Sequence, residues 1–216
     1  MRGLVTNSAE GAPMDVGVSA GLSPRARRFL ATLERRPAVP TAEVEAIITG
    51  SGFPCFTPWL AFHDRYAGYV EAVSRDGFVW GLVHRNPRWL APNKPDIDSE
   101  ADEQTWYVSC ADGHPSYDYR LDNTGEFLGG APAESFGVHV ERIALGREFM
   151  RRGVARTWSA DKLRGPAARH TFEEKVKAHP VAEASDRFSR YYVSESHFVV
   201  ECVETGVFSR GYDMPS

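Results

Sequence analysis

The chain is short of cysteine, of long apolar runs and, over one stretch, of positive charge. Only three of its 216 residues are cysteines. Cys55, Cys110 and Cys202 are widely separated and odd in number, the pattern of buried thiols in a reducing compartment and not of a disulfide framework. No CxxC or Cys/His spacing offers the ligands of a zinc site, so neither a metal nor another cofactor is expected. Nowhere do about 18 apolar residues run together, which argues against a transmembrane helix. Residues 1–22 carry one early cation, an acid at Glu10 and no continuous apolar stretch, so they read as a loose leader and not as a secretory signal. A cytoplasmic protein without membrane contact is the expectation.

What is present suffices for a folded domain. With 42% hydrophobic, 12% aromatic and 25% charged residues the chain has the apolar surface to bury a core, and its length suits one domain or one domain with an elaboration. Its charge is unevenly spread. Between Asp96 and Glu126 nine carboxylates (Asp96, Asp98, Glu100, Asp102, Glu103, Asp112, Asp118, Asp122 and Glu126) stand against one cation, Arg120, a net of −8 in a chain whose total is −4. The flanks are each slightly positive. The alternating apolar and polar residues around Trp106 and Tyr117 make this segment folded sheet with an acidic edge, a surface that selects basic partners by its field. A pI near 6.0 speaks against non-specific nucleic-acid binding as the main activity.

Helical signals come first. Ser23-Pro24 is an N-cap followed by proline at the first helical position, and Phe29, Leu30 and Leu33 follow at helical spacing, with Arg35 and Arg36 near the C-terminal end of the dipole. Thr41 caps a second short helix with Val44, Ile47 and Ile48 as its buried stripe, closed by Gly50 and Gly52. A third starts after Pro58, with Trp59, Leu60, Phe62 and Tyr66 apolar and Gly68 as its stop. From Tyr69 the period shifts towards two. Strands are expected over Tyr69–Val73, Phe78–Val83, Trp106–Cys110, Tyr117–Leu121 and Glu126–Leu128, joined by turns at Asp76-Gly77, Asp112-Gly113 and Asn123-Thr124-Gly125, an antiparallel meander. His84 to Asp102, with three prolines, is an excursion over the surface. A closing helix runs from about Pro132 or Ala133, with Phe136, Val140, Ile143, Ala144 and Phe149 apolar. Past Arg151 the chain suits short helices or a linker, and HFVVECV with GVFSRGY around Glu204-Thr205-Gly206 reads as a terminal hairpin. The expected architecture is α+β: a leader over 1–22, a main domain over 23–150, and a C-terminal extension over 151–216 packed on the same domain.

Two segments carry a family resemblance. TAEVEAIITGSGFPCFTPWLAFHDRYAGYVE resembles the N-terminal signature of the SUKH superfamily (Smi/Knr-like), and WYVSCADGHPSYDYRLDNTGEFLGGAPAESFGVHVERIAL is similar to its later half, together roughly Thr41 to Leu145. The resemblance implies an α+β binding domain without catalytic chemistry. Most bacterial members are immunity proteins that neutralise a cognate toxin of a polymorphic or contact-dependent system, in many cases a nuclease with a basic groove; fungal members are regulatory interaction proteins. The excursion at His84–Asp102 and the C-terminal extension depart from the family pattern.

The expected partner face is therefore Asp112, Asp118, Asp122 and Glu126, flanked by Tyr117 and Tyr119, with Trp89 in the proline-rich excursion as an interface anchor. The partner is a protein toxin with a basic surface, with no nucleic acid or membrane involved; the sequence leaves the oligomeric state open. The competing reading is a small hydrolase using His114 with Ser116 and the nearby acids Asp112 or Asp118, although no GxSxG elbow is present and Asp112-Gly113-His114-Pro115 is better explained as a turn. Asp118, Asp122 and Glu126 lack the spacing of a calcium loop. The arginines of 142–169 with Trp158 would suit a nucleic-acid surface, but Arg151-Arg152 before Gly153 is more simply a complement to the helix dipole, and the run also has the option of packing on the acidic block. Trp59, Phe62, Trp80 and Trp106 belong to periodic elements and are expected in the core.

Overall fold

The computed structural model describes residues 21–71, 77–100, 104–112, 119–151, 177–195, 197–205 and 207–212, the last segment by its backbone alone. Among them are helices α1 (Pro24–Leu30), α2 (Thr41–Gly50), α3 (Thr57–Tyr66) and α4 (Phe136–Arg151). The strands are β1 (Val70–Glu71), β2 (Phe78–Trp80), β3 (Ile97–Ser99), β4 (Trp106–Ser109), β5 (Ala111–Asp112), β6 (Arg120–Asp122), β7 (Phe127–Leu128), β8 (His179–Pro180), β9 (Ser189–Val193), β10 (His197–Cys202) and β11 (Val207–Tyr212). The fold is α+β, with three antiparallel sheets ordered β1-β2-β5, β3-β4-β6-β7 and β11-β10-β9-β8.

The helices start and stop for local reasons, with two corrections to the sequence reading. Ser23 caps α1 as expected, its hydroxyl accepting from the Ala26 N–H at 3.2 Å, but the helix ends at Leu30. Arg35 instead forms a bridge with Tyr69 and lays its guanidinium over that ring. The N-cap of α2 is Pro40 and not Thr41, and no side chain caps it. Val44 and Ile48 are buried as the spacing requires. Gly68 ends the α3 region at φ +87°, and a Cβ there would overlap the carbonyl oxygen of Arg36, so no other residue fits.

The strands are shorter than alternation predicts, and they do not form one meander. β4 and β5 lie one residue apart, yet β4 pairs with β3 and β6 while β5 pairs with β2. The chain thus crosses between sheets at Cys110, whose fully buried side chain packs in the core. Asp112 is correspondingly part of a strand opposite Val79, where a turn was expected. Ile97–Ser99, within the surface excursion and not among the expected strands, is an edge strand. α4 begins at Phe136, later than Pro132 or Ala133. The terminal hairpin is present as β10–β11 and extends to four strands through β9 and β8. The arginine-rich segment 152–176 lies outside the described residues.

Two apolar clusters result, and α4 serves both. Phe136, Val140 and Ala144 belong to the larger one with Trp59, Phe62, Tyr66, Trp80, Val108, Leu121 and Phe127. Leu145 and Phe149, further along the helix, belong to the smaller one with Val181, Tyr191 and Phe198. Phe136 is the centre of an aromatic group, 4.6 Å from Phe62, 4.9 Å from Trp80 and 5.5 Å from Phe127 between ring centroids. His139 stacks on Phe127 at 4.0 Å, and burial pushes its imidazole down to about 3, with Arg142 adding to the shift. It is a neutral core ring. Among the described residues no helix is long and apolar enough to cross a membrane.

Candidate functional site

The register of the β3-β4-β6-β7 sheet sorts its side chains onto two faces. Ile97, Val108, Leu121 and Phe127 form one cross-strand row pointing into the core. The next row, Asp98, Tyr107 and Asp122, belongs to the opposite face, as do Glu100 and Arg120 by alternation. That outer face carries three carboxylates and one guanidinium. Arg120 lies 3.7 Å from Asp98, whose side chain is 73% exposed, so this pair contributes little to stability and leaves the acid accessible. Tyr107 donates its hydroxyl to Glu100 at 2.5 Å. Asp96, at the entrance to β3, is exposed as well.

The anticipated partner-face residues are dispersed by the fold. Asp112 is buried, and this corrects its placement on an exposed face. Its carboxylate accepts from the backbone N–H of Arg88 at 3.0 and 2.8 Å and from that of Trp89 at 3.2 Å, which ties the excursion to β5. Asp122 uses one oxygen to accept from the N–H and hydroxyl of Thr124 and the N–H of Glu126, so it shapes the 122–126 turn. Glu126 is half-buried and paired with Arg187 from the C-terminal section. Desolvation raises its pKa, against the pull of that arginine. Tyr119 is half-buried and packs edge-on against the core rings Phe78 and Phe127. Trp89 is 45% exposed on a loop held by Asp112. Tyr117, Asp118, His114 and Ser116 lie outside the described residues.

A second feature was not anticipated. A cleft of about 780 Å³ opens between the segment joining α1 to α2, the end of α3, β2, the start of the excursion and β5. Its wall includes His63, His84 and Asp112, with Arg36, Arg85 and Arg88 also lining it. His63 is fully engaged: Nε2 donates to Val39 O at 2.8 Å, and Nδ1 accepts the N–H of Leu82 at 3.1 Å. That geometry requires the neutral ring, and desolvation lowers its pKa. His84 donates from Nε2 to Gly81 O at 3.1 Å, with its pKa lowered by burial against the opposing field of Asp112. Gly81, at φ +149°, sits between the two rings, and a Cβ there would stand 3.2 Å from His84 and 3.6 Å from His63. Arg36 pairs with Glu34 at 2.7 Å and Arg85 with Glu43 at 2.9 Å, both pairs exposed.

One signal for this cleft was in the sequence. His63 falls on the apolar stripe of α3 between Trp59 and Tyr66, where a polar ring must find partners inside. Nothing local shows that the partners are Val39 and Leu82. No group of three or more His, Cys, Asp or Glu side chains among the described residues is disposed to hold a metal. No family model, curated protein or solved structure matches the chain.

Proposed function

We propose that the protein acts by binding a basic protein partner, and, following the family it resembles, that it is a cytoplasmic immunity protein that holds a cognate bacterial toxin inactive. The observation that supports this reading is the outer face of the β3-β4-β6-β7 sheet. It offers Asp98 and Asp122 beside Tyr107 on paired strands, with Glu100 just past the end of β3 and held by the Tyr107 hydroxyl, so the charges are preorganised. Carboxylates fixed in this way attract a basic groove over several ångströms and stand in for phosphate within it, which suits a nuclease toxin.

The effective acids are Asp98 and Glu100, which are exposed, whereas Asp112 is buried and Asp122 is half-buried with several turn groups bonded to one oxygen. Co-expression with the product of an adjoining toxin gene should protect growth and yield a co-purifying complex. Reversing both charges (D98K/E100K) should weaken that complex at least tenfold, mainly through slower association at low salt, with the melting temperature within about 2 °C of the parent. An unchanged affinity would reject this face. Absence of any complex with a toxin would reject the immunity reading.

A further inference from the structure

The cleft beside His63 and His84 is separate in composition from the acidic sheet face, with three arginines among its lining residues. Arg36, Arg85 and Arg88 line it together with one acidic residue, Asp112, and two of the arginines also pair with exposed acids, Arg36 with Glu34 and Arg85 with Glu43. That carboxylate, Asp112, is buried and capped by the N–H groups of Arg88 and Trp89, so much of its charge is already answered. The apolar part of the wall includes Val39, Val79, Trp80 and Val83, and the volume of about 780 Å³ lies within the range of small-molecule sites.

Hydrogen bonds also tie the walls to one another. Both ring nitrogens of His63 are bonded to backbone groups from two different segments, and Asp112 holds the excursion by two successive amides. Glu34 and Glu43, which pair with Arg36 and Arg85, are exposed. Such pairs are weak, and a ligand oxyanion in a partly enclosed site competes well with them through the planar fork of arginine.

We propose that this cleft is a binding site for a small organic anion, an apolar or planar body bearing phosphate or carboxylate groups that the three arginines grip. The proposal is independent of the immunity reading and of the acidic face. Arg88 anchors the excursion through its backbone N–H, so R88A removes the guanidinium while leaving that hydrogen bond, and R85A breaks only an exposed pair.

The test is calorimetric titration of the full chain with pyrophosphate and, separately, with citrate, at low and moderate salt. Saturable binding near one equivalent is expected for at least one probe, and the tighter of the two identifies the oxyanion. R85A/R88A should lose at least tenfold in affinity. The charge-matched control R27A/R28A, on the exposed side of α1, should keep it. No saturable binding of either probe at about 10 mM would overturn the site, as would equal losses in the two double variants, which would mean only general charge attraction.

Discussion

Glu71 illustrates how burial changes what a side chain does. It pairs with Phe78 across β1 and β2, is 4% exposed, and accepts from Trp80 Nε1 at 3.1 Å. Desolvation pushes its carboxyl up to about 7, with the Trp80 hydrogen bond and the charge of Arg147 pulling the other way. Between the unfolded value of 4.5 and about 7 the folded state keeps a proton that the unfolded chain releases. Its contribution is therefore fully present below about pH 4.5 and is lost as pH rises towards 7. Glu71→Gln keeps an acceptor for Trp80 and does not ionise. Relative to the parent it should be near neutral at pH 4.5 and more stable at about pH 8, by on the order of 3 kcal/mol at about 1.4 kcal/mol per pH unit. Urea unfolding at the two pH values measures this, and a difference that does not change with pH would contradict it. The sequence placed Trp59, Phe62 and Trp80 in the core from periodicity alone, and they are there, while Trp106, expected with them, is only partly buried against it. It gave no comparable sign for Glu71 or Asp112, because a carboxylate in a strand is ordinarily on the solvent face.

At the scale of elements, α1 shows a local motif completed from far away. In a capping box the residue at N3 returns a carboxylate to the N-cap amide. Here that position is Ala26, and Glu141 of α4 supplies the carboxylate instead, accepting from Ser23 N at 2.6 Å and from Ser23 Oγ at 2.7 Å. Arg25 lies 4.0 Å from the same group. Glu141→Ala should cost about 2 kcal/mol, the scale of a lost cap with a donor left unpaired. It should also accelerate amide hydrogen exchange in α1 well beyond that in α2. Uniform acceleration across both helices would point to general loosening instead. The N-cap was legible in Ser23-Pro24; its partner 118 residues away was not. The strands show the same division. Their apolar alternation marked where they run, but the step from β4 to β5 between two sheets depends on which neighbours reach each edge.

At the scale of the whole molecule, the C-terminal section is joined to the rest by a buried charge. Arg142 donates from Nε to Ala184 O at 3.0 Å and from Nη1 to Pro132 O at 2.5 Å, and pairs through Nη2 with Asp186 at 2.6 Å. Its guanidinium also lies 5.1 Å from the Tyr191 ring centroid. Asp186 in turn accepts from the backbone N–H groups of Glu134, Phe188 and Ser189. Removing one partner from such a site leaves an uncompensated charge, so Arg142→Met or Asp186→Ala should each cost about 3–5 kcal/mol. The double variant should cost clearly less than the sum of the two, and denaturant titration of all three measures the coupling. Strict additivity would show that the pair does not act as a unit. In the sequence, Arg142 was one of a run of arginines that suggested a surface.

What the sequence determined by itself was the kind of element at each place and the side that each turns inward, because helix and strand periods are local and burial of apolar surface favours them wherever the chain leads. The α+β class, the stripes of α2 and α3, the aromatic core and the terminal hairpin all follow from that. Only the tertiary structure decided which acids are surface and which are structural. Asp98, Asp112 and Asp122 each accept a backbone amide, yet Asp112 is buried and ties a distant loop to β5, Asp122 shapes a turn, and Asp98 stays exposed. The cleft likewise exists only because segments around residues 36, 63, 84 and 112 converge. A polar side chain takes its role from the partners within about 3 Å of it, and packing brings those partners from anywhere in the chain.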